Sequence, residues 1–174
     1  MVTPEGATID VASDVTGWTP SQVYGLLSQS ARDLARVGPT LEIKVQTAYP
    51  SQAATSYGDS FRAIIYLQAT TNSNFTAHPE ASVAHEYGHV WTLYWYYTAH
   101  SASWNAYLVA RGLFGDPRLD SSYSWSVREI AADDYRLLFG SSAAVSQMAH
   151  LNQDIPDPRN VAGLRSFLLN NWAG

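Results

Sequence analysis

His85-Glu86-Tyr87-Gly88-His89 places two imidazoles and a carboxylate at helical spacing. On a helix, positions i and i+4 share one face one turn apart, so His85 and His89 can grip a single metal ion. Glu86 is rotated about 100° around the axis from His85. That is too far round for an equivalent ligand, yet near enough for its carboxylate to act as general base toward a metal-bound water. The pattern predicts metal-assisted hydrolysis of the kind zinc peptidases perform.

Two His do not complete such a site, because zinc takes at least three protein ligands. The chain has no Cys, so any further ligand is imidazole or carboxylate. The extended pattern that adds a third His is excluded: Thr92 stands at its Gly position and Trp95 at its final His position. The best-placed carboxylates lie in Glu129-Ile130-Ala131-Ala132-Asp133-Asp134. Glu129 and Asp133 are i and i+4 and project from one helix face, while Ala131 and Ala132 are small enough to let that helix approach the motif helix. Glu129 is expected on the zinc, and Asp133 on the free ring nitrogen of His85 or His89. The bland alternative is a solvated acidic face.

In these residues the sequence resembles the gluzincin metallopeptidases, in which His-Glu-x-x-His is completed by a Glu in a Glu-x-x-x-Asp pattern on a later helix. Within them it is most similar to the small group around anthrax lethal factor and the Pro-Pro endopeptidases. Ser122-Tyr123 ahead of Glu129, then Ala132-Asp133-Asp134-Tyr135-Arg136-Leu137, carry that likeness. The resemblance covers roughly residues 79–139. It implies a zincin-like fold, one catalytic Zn²⁺ on His85, His89 and Glu129, Glu86 as general base, and endopeptidase activity on a peptide or protein. It makes Tyr123 the matching residue to stabilise the oxyanion, with His150 as the rival donor and otherwise a surface residue. His78 and His100, flanking the motif helix, are read as structural. A non-catalytic zinc-binding or effector domain that keeps the fold is the alternative.

The elements that must position these groups follow from periodicity and punctuation. Residues 8–12 alternate as a short strand. Thr19-Pro20-Ser21-Gln22 opens a helix with a capping box, and the apolar spacing from Val23 to Val37 carries it to Gly38-Pro39. Residues 41–47 alternate strictly, 61–69 read as a buried strand, and a hairpin is expected between 53–57 and 61–69. An extended substrate would pair with an exposed strand edge from residues 53–69. Pro79 opens the motif helix, expected to run to about Thr98 and, from its all-round aromatics, to be buried. Helices are further expected over 101–113, 127–139 behind Ser126, 141–151 and from Val161. The fold class is α+β: a small mixed N-terminal sheet with a helix, the active-site helix, and a helical second half, with a cleft between. One catalytic domain, 1–174, is expected, with lobes of about 1–98 and 99–174.

The chain of 174 residues is 46% hydrophobic and 14% charged, which suits a globular domain. A net charge of −5 without a basic run argues against nucleic acid as partner. No run of 18 apolar residues exists, so no membrane-spanning segment is expected. The segment from Met1 to Gly6 lacks the features of a signal peptide. The low-Lys, Ser/Thr/Tyr-rich composition, with Lys44 the only Lys, leans the reading toward a secreted domain, with a cytoplasmic one as the alternative, and a monomer is expected.

Overall fold

The computed structural model describes residues 1–48, 55–56, 61–100 and 102–172. Among them the architecture is α+β and helix-rich, with a four-stranded sheet in the order β1-β2-β4-β3. Strands β1 (Thr8–Val11), β2 (Leu41–Gln46) and β4 (Arg62–Gln68) run parallel, with Ile9 beside Ile43 and Ile43 beside Ile65. The two-residue β3 (Thr55–Ser56) adds antiparallel to the start of β4. The turn expected between them falls outside the described residues. On β2 and β4 every second side chain is buried, as period-2 alternation requires.

The capping box opens α1 (Pro20–Ser30) as expected: the Gln22 amide N–H donates to Thr19 Oγ1 at 3.3 Å, and the Thr19 N–H to Gln22 Oε1 at 2.9 Å. The expectation of one helix to Val37 is corrected. The chain breaks after Ser30, Asp33 takes a left-handed φ of 55°, and α2 spans only Leu34–Val37. Distant side chains hold the break. Tyr135 Oη accepts from the Arg32 N–H and donates to the Ser30 carbonyl, both at 2.8 Å. Tyr87 Oη donates to the Arg32 carbonyl, and Trp91 Nε1 to Asp33 Oδ2 at 2.8 Å. Those bonds replace the helical ones that Arg32 and Asp33 give up.

After the short α3 (Asn74–Ala77), α4 (Pro79–Tyr97) is the axis of the molecule. It packs against α1, α3, α6 and α7 and touches β4. Ten of its residues are buried and spread around its circumference, so it carries no solvent face of its own. Trp91 and Trp95 belong to the core, where Trp91 meets Tyr135 at 5.2 Å and Trp172 at 6.3 Å between ring centroids. The second half is helical: α5 (Trp104–Arg111), α6 (Val127–Phe139), α7 (Ser142–Ser146) and α8 (Leu164–Phe167), the last running on into a wide turn, Leu168–Trp172. Ser126 precedes α6, but its side chain makes no cap bond; Asp120 Oδ1 accepts from the Val127 N–H at 3.1 Å instead. The helix expected over 141–151 stops at Ser146, and the Ala144 carbonyl accepts from the Arg136 guanidinium at 2.8 Å.

Candidate metal centre

The motif residues sit on α4 as their spacing requires, with Gly88 between them at the closest approach to α6. A Cβ built on Gly88 would lie 2.7 Å from the Ala132 carbonyl oxygen and 3.0 Å from Tyr135 Cβ. Ala131 and Ala132 are buried at this contact. Helix α6 thereby brings its first turn, carrying Glu129, to the face of α4 that carries His85 and His89.

Glu129 meets both imidazoles. Its Oε2 lies 3.2 Å from His85 Nε2 and its Oε1 lies 3.4 Å from His89 Nε2. The two rings stand nearly perpendicular, at 89°, with centroids 4.9 Å apart. One donor atom from each residue falls within 4.8 Å of the other two. Ligand bonds of about 2.0–2.1 Å at tetrahedral angles put neighbouring donor atoms about 3.3–3.4 Å apart. Two imidazoles and a carboxylate are donors that zinc takes, and the Glu129–His separations are compatible with that spacing.

Asp133 stands at the other ring nitrogen of His85, with Oδ1 at 3.7 Å from Nδ1. This is longer than a hydrogen bond, but it selects His85 over His89 as the imidazole that Asp133 addresses. Each of its oxygens has another partner: Oδ1 accepts from Arg136 Nε at 2.7 Å and Oδ2 from the Leu151 N–H at 2.8 Å. The acidic run is not a solvated face. Asp133 is 3% exposed and Asp134 is fully buried.

The electrostatics suit a cation. Burial works against a charged His85, yet Asp133 and Glu129 outweigh it and push its pKa up to about 10. Burial likewise opposes ionisation of Glu129, but bonds from His85, His89 and Tyr123 hold its carboxyl far below the usual range. Asp133 is brought down to about 2: burial opposes this, and His85 and Arg136 prevail. Two ionised carboxylates thus flank the imidazoles, and a divalent cation would take the place of the shared proton.

Glu86 accepts no hydrogen bond from any described residue and lines the cleft beside His85. Tyr123 lines the same cleft and is 65% exposed, with its hydroxyl bonded to Glu129. The reading of His150 as a surface residue is corrected. Its side chain is 8% exposed, with Nε2 at 3.8 Å from Asp133 Oδ2 and 3.7 Å from Asp134 Oδ1. Those carboxylates draw it inward, and it lines neither part of the cleft. His78 and His100 lie at the two ends of α4, away from the cluster.

Sequence reasoning missed two residues. Gly88 lay inside the motif unremarked, although a glycine at the centre of a buried helix is a signal of close approach. Arg136 was noted only as part of the run after Glu129. It is 1% exposed and lies three residues from Asp133, a spacing that allows their ion pair on a helix. No family model, curated protein or solved structure matches this chain.

Proposed function

We propose that this chain is a zinc-dependent endopeptidase with a zincin-like arrangement: parallel strands beside an active-site helix, a later helix carrying the third ligand, and a cleft where they meet. The observation that carries the reading is the meeting of Glu129 with His85 and His89, at 3.2 and 3.4 Å, across two helices distant in sequence. In this reading His85, His89 and Glu129 hold the ion, and Asp133 keeps a proton on His85 Nδ1 so that Nε2 faces the metal. When bound, zinc supplies a Lewis acid that brings the pKa of a coordinated water toward neutrality.

Glu86 takes the proton of the attacking water and passes it to the leaving amine. That no described residue bonds its carboxylate supports this role. The Tyr123 hydroxyl donates toward the carbonyl oxygen as that oxygen gains charge. The substrate lies extended between α4 and β4, where Tyr66, Gln68 and Ser82 line the cleft together with Glu86.

The test is digestion of a peptide mixture by the zinc-loaded protein, with Glu86→Gln as control. Cleavage is expected to fall about 10²–10⁴-fold in the variant, while its zinc content by elemental analysis stays equal to that of the parent. Cleavage that survives Glu86→Gln sinks the mechanism. Full zinc loading with no cleavage by the parent protein favours the non-catalytic zinc-binding domain.

A further inference from the structure

Three cations gather toward the C-terminal end of α6. The Arg32 and Arg165 guanidinium carbons lie 5.2 and 5.3 Å from the centre of the Phe139 ring, and that of Arg36 lies 5.7 Å from the centre of the Trp95 ring. Arg111, Arg118, Arg136 and Arg159 each meet an aspartate, but Arg32, Arg36 and Arg165 form no ion pair among the described residues. Arg32 Nε is buried without an acceptor. An aromatic face fixes a guanidinium yet occupies none of its five N–H donors. The rings therefore position these cations and leave their forks open to a carboxylate. The sequence makes the charge here one-sided. The fifteen Asp and Glu leave residues 15–32, 135–153 and 158–174 empty, and those stretches supply α1, α7, α8 and the end of α6. Asp33 is taken by Trp91 Nε1, and Asp157 by Arg159. A positive face thus stands on a chain of net charge −5.

Arg165 also borders a groove of about 400 Å³, whose apolar lining includes Leu137 and Leu138 of α6 and Val161 and Ala162 ahead of α8. From Glu129 to Leu138 is about 13 Å along the α6 axis, and the groove shares no lining residue with the cleft beside His85. Its apolar surface is recessed. None of the large exposed hydrophobic residues, Met1, Val2, Val109, Phe114 and Tyr123, lines it. A recessed surface receives a side chain, whereas docking on an anionic membrane calls for apolar groups that project. The cations are spread over two rings, so they suit several linked carboxylates better than one small anion. An acidic stretch of protein chain meets both conditions: its carboxylates reach the guanidinium forks, and an apolar side chain between them fills the groove.

We propose that the groove lined by Leu138 and Ala162, together with Arg165 and Arg32, is a docking site for an acidic segment of a partner protein in which carboxylates flank an apolar side chain. The site is separate from the candidate metal centre, so this proposal and the peptidase reading stand or fall independently.

The test is fluorescence anisotropy with short labelled peptides and the whole chain, carrying Glu86→Gln so that no probe is consumed. One peptide sets leucine among Asp and Glu, a second replaces the leucine with serine, and a third replaces the acids with lysine. The first is expected to bind at least about tenfold more tightly than either of the others, and to weaken as salt is added. Arg165 and Ala162 are exposed, so both tolerate substitution. Arg165→Gln is expected to weaken the first peptide about tenfold, and Arg165→Lys to recover only part, since it restores the charge without the fork. Ala162→Trp fills the groove and is expected to remove the preference for leucine over serine. Melting temperatures equal to that of the parent show that each variant is folded.

No saturable binding below about 1 mM, equal affinity for the three peptides, or affinities unchanged in both Arg165→Gln and Ala162→Trp overturns the proposal. So does binding to vesicles of phosphatidylserine and phosphatidylcholine, lost in Arg165→Gln, without binding of the acidic peptide, which assigns the face to a membrane. A salt-sensitive dimer of the chain alone in sedimentation, lost in Arg165→Gln, assigns it to a second copy and overturns the proposal equally.

Discussion

Gly88 of α4 stands against Ala132 of α6 so closely that a single added carbon would lie 2.7 Å from the Ala132 carbonyl oxygen. The contact is backbone to backbone, so the obstacle cannot rotate away. The two helices that hold the ligands therefore meet at a fixed separation, set by a residue inside the motif itself.

Gly88→Ala tests that separation. Helix propensity alone would favour Ala by about 1 kcal/mol, but overpacking in a rigid contact costs about 1–3 kcal/mol and forces the helices apart. Net destabilisation in urea unfolding is expected, together with weakened zinc binding as Glu129 moves away from His85 and His89. A variant as stable as the parent, with unchanged zinc affinity, would show that the helices adjust freely.

Glu129→Ala removes the ligand that joins α6 to α4. Zinc at 100 times its dissociation constant stabilises a folded protein by about 2.7 kcal/mol. In a chain of this length that is a rise in Tm of about 5–10 °C over the chelator-treated protein. The rise is expected in the parent and absent in Glu129→Ala at the same zinc concentration. An equal rise in both would place the metal elsewhere.

Tyr123 is 65% exposed, and its hydroxyl bonds Glu129. Tyr123→Phe keeps the ring and removes only the donor. If that donor serves the developing oxyanion, kcat should fall about 10²–10³-fold with KM little changed. A drop in zinc affinity with kcat intact would instead make Tyr123 a support for Glu129.

A second buried ion pair lies further along α6. Asp134 Oδ2 accepts from Arg111 Nε at 2.8 Å and from Tyr107 Oη at 2.7 Å, and both charged side chains are fully buried. Removing one partner strands the other charge, which costs about 3–5 kcal/mol. Asp134→Ala is therefore expected to lose that much stability by chemical denaturation, and the added change Arg111→Met to recover part of it. A loss below about 1 kcal/mol in the single variant would mean that water reaches Arg111.

Much of the frame could be read from neighbouring residues alone. Pro79 and the spacing that follows it delimit α4, the capping box opens α1, and the i, i+4 pairs of His85 with His89 and Glu129 with Asp133 project from single faces. These signals are local: caps, periodicity and helical offsets depend on residues within a turn or two. The β3–β4 pairing was partly legible for the same reason.

What tertiary structure alone decided involves partners far apart in the chain. The break at Arg32 and Asp33 is made by Tyr87, Trp91 and Tyr135, which lie 55, 58 and 103 residues from their partners there. His85 rather than His89 faces Asp133, and His150 turns inward, because the packing of α6 on α4 sets which nitrogen each carboxylate meets. Beyond the end of α7 at Ser146, Arg136 holds the carbonyls of Met148 and Ala149. At the break after Ser30 and at Arg136, buried polar groups found partners far along the chain or beyond their own helix. Sequence determined that these groups exist; the packing of two helices at Gly88 determined whom they meet.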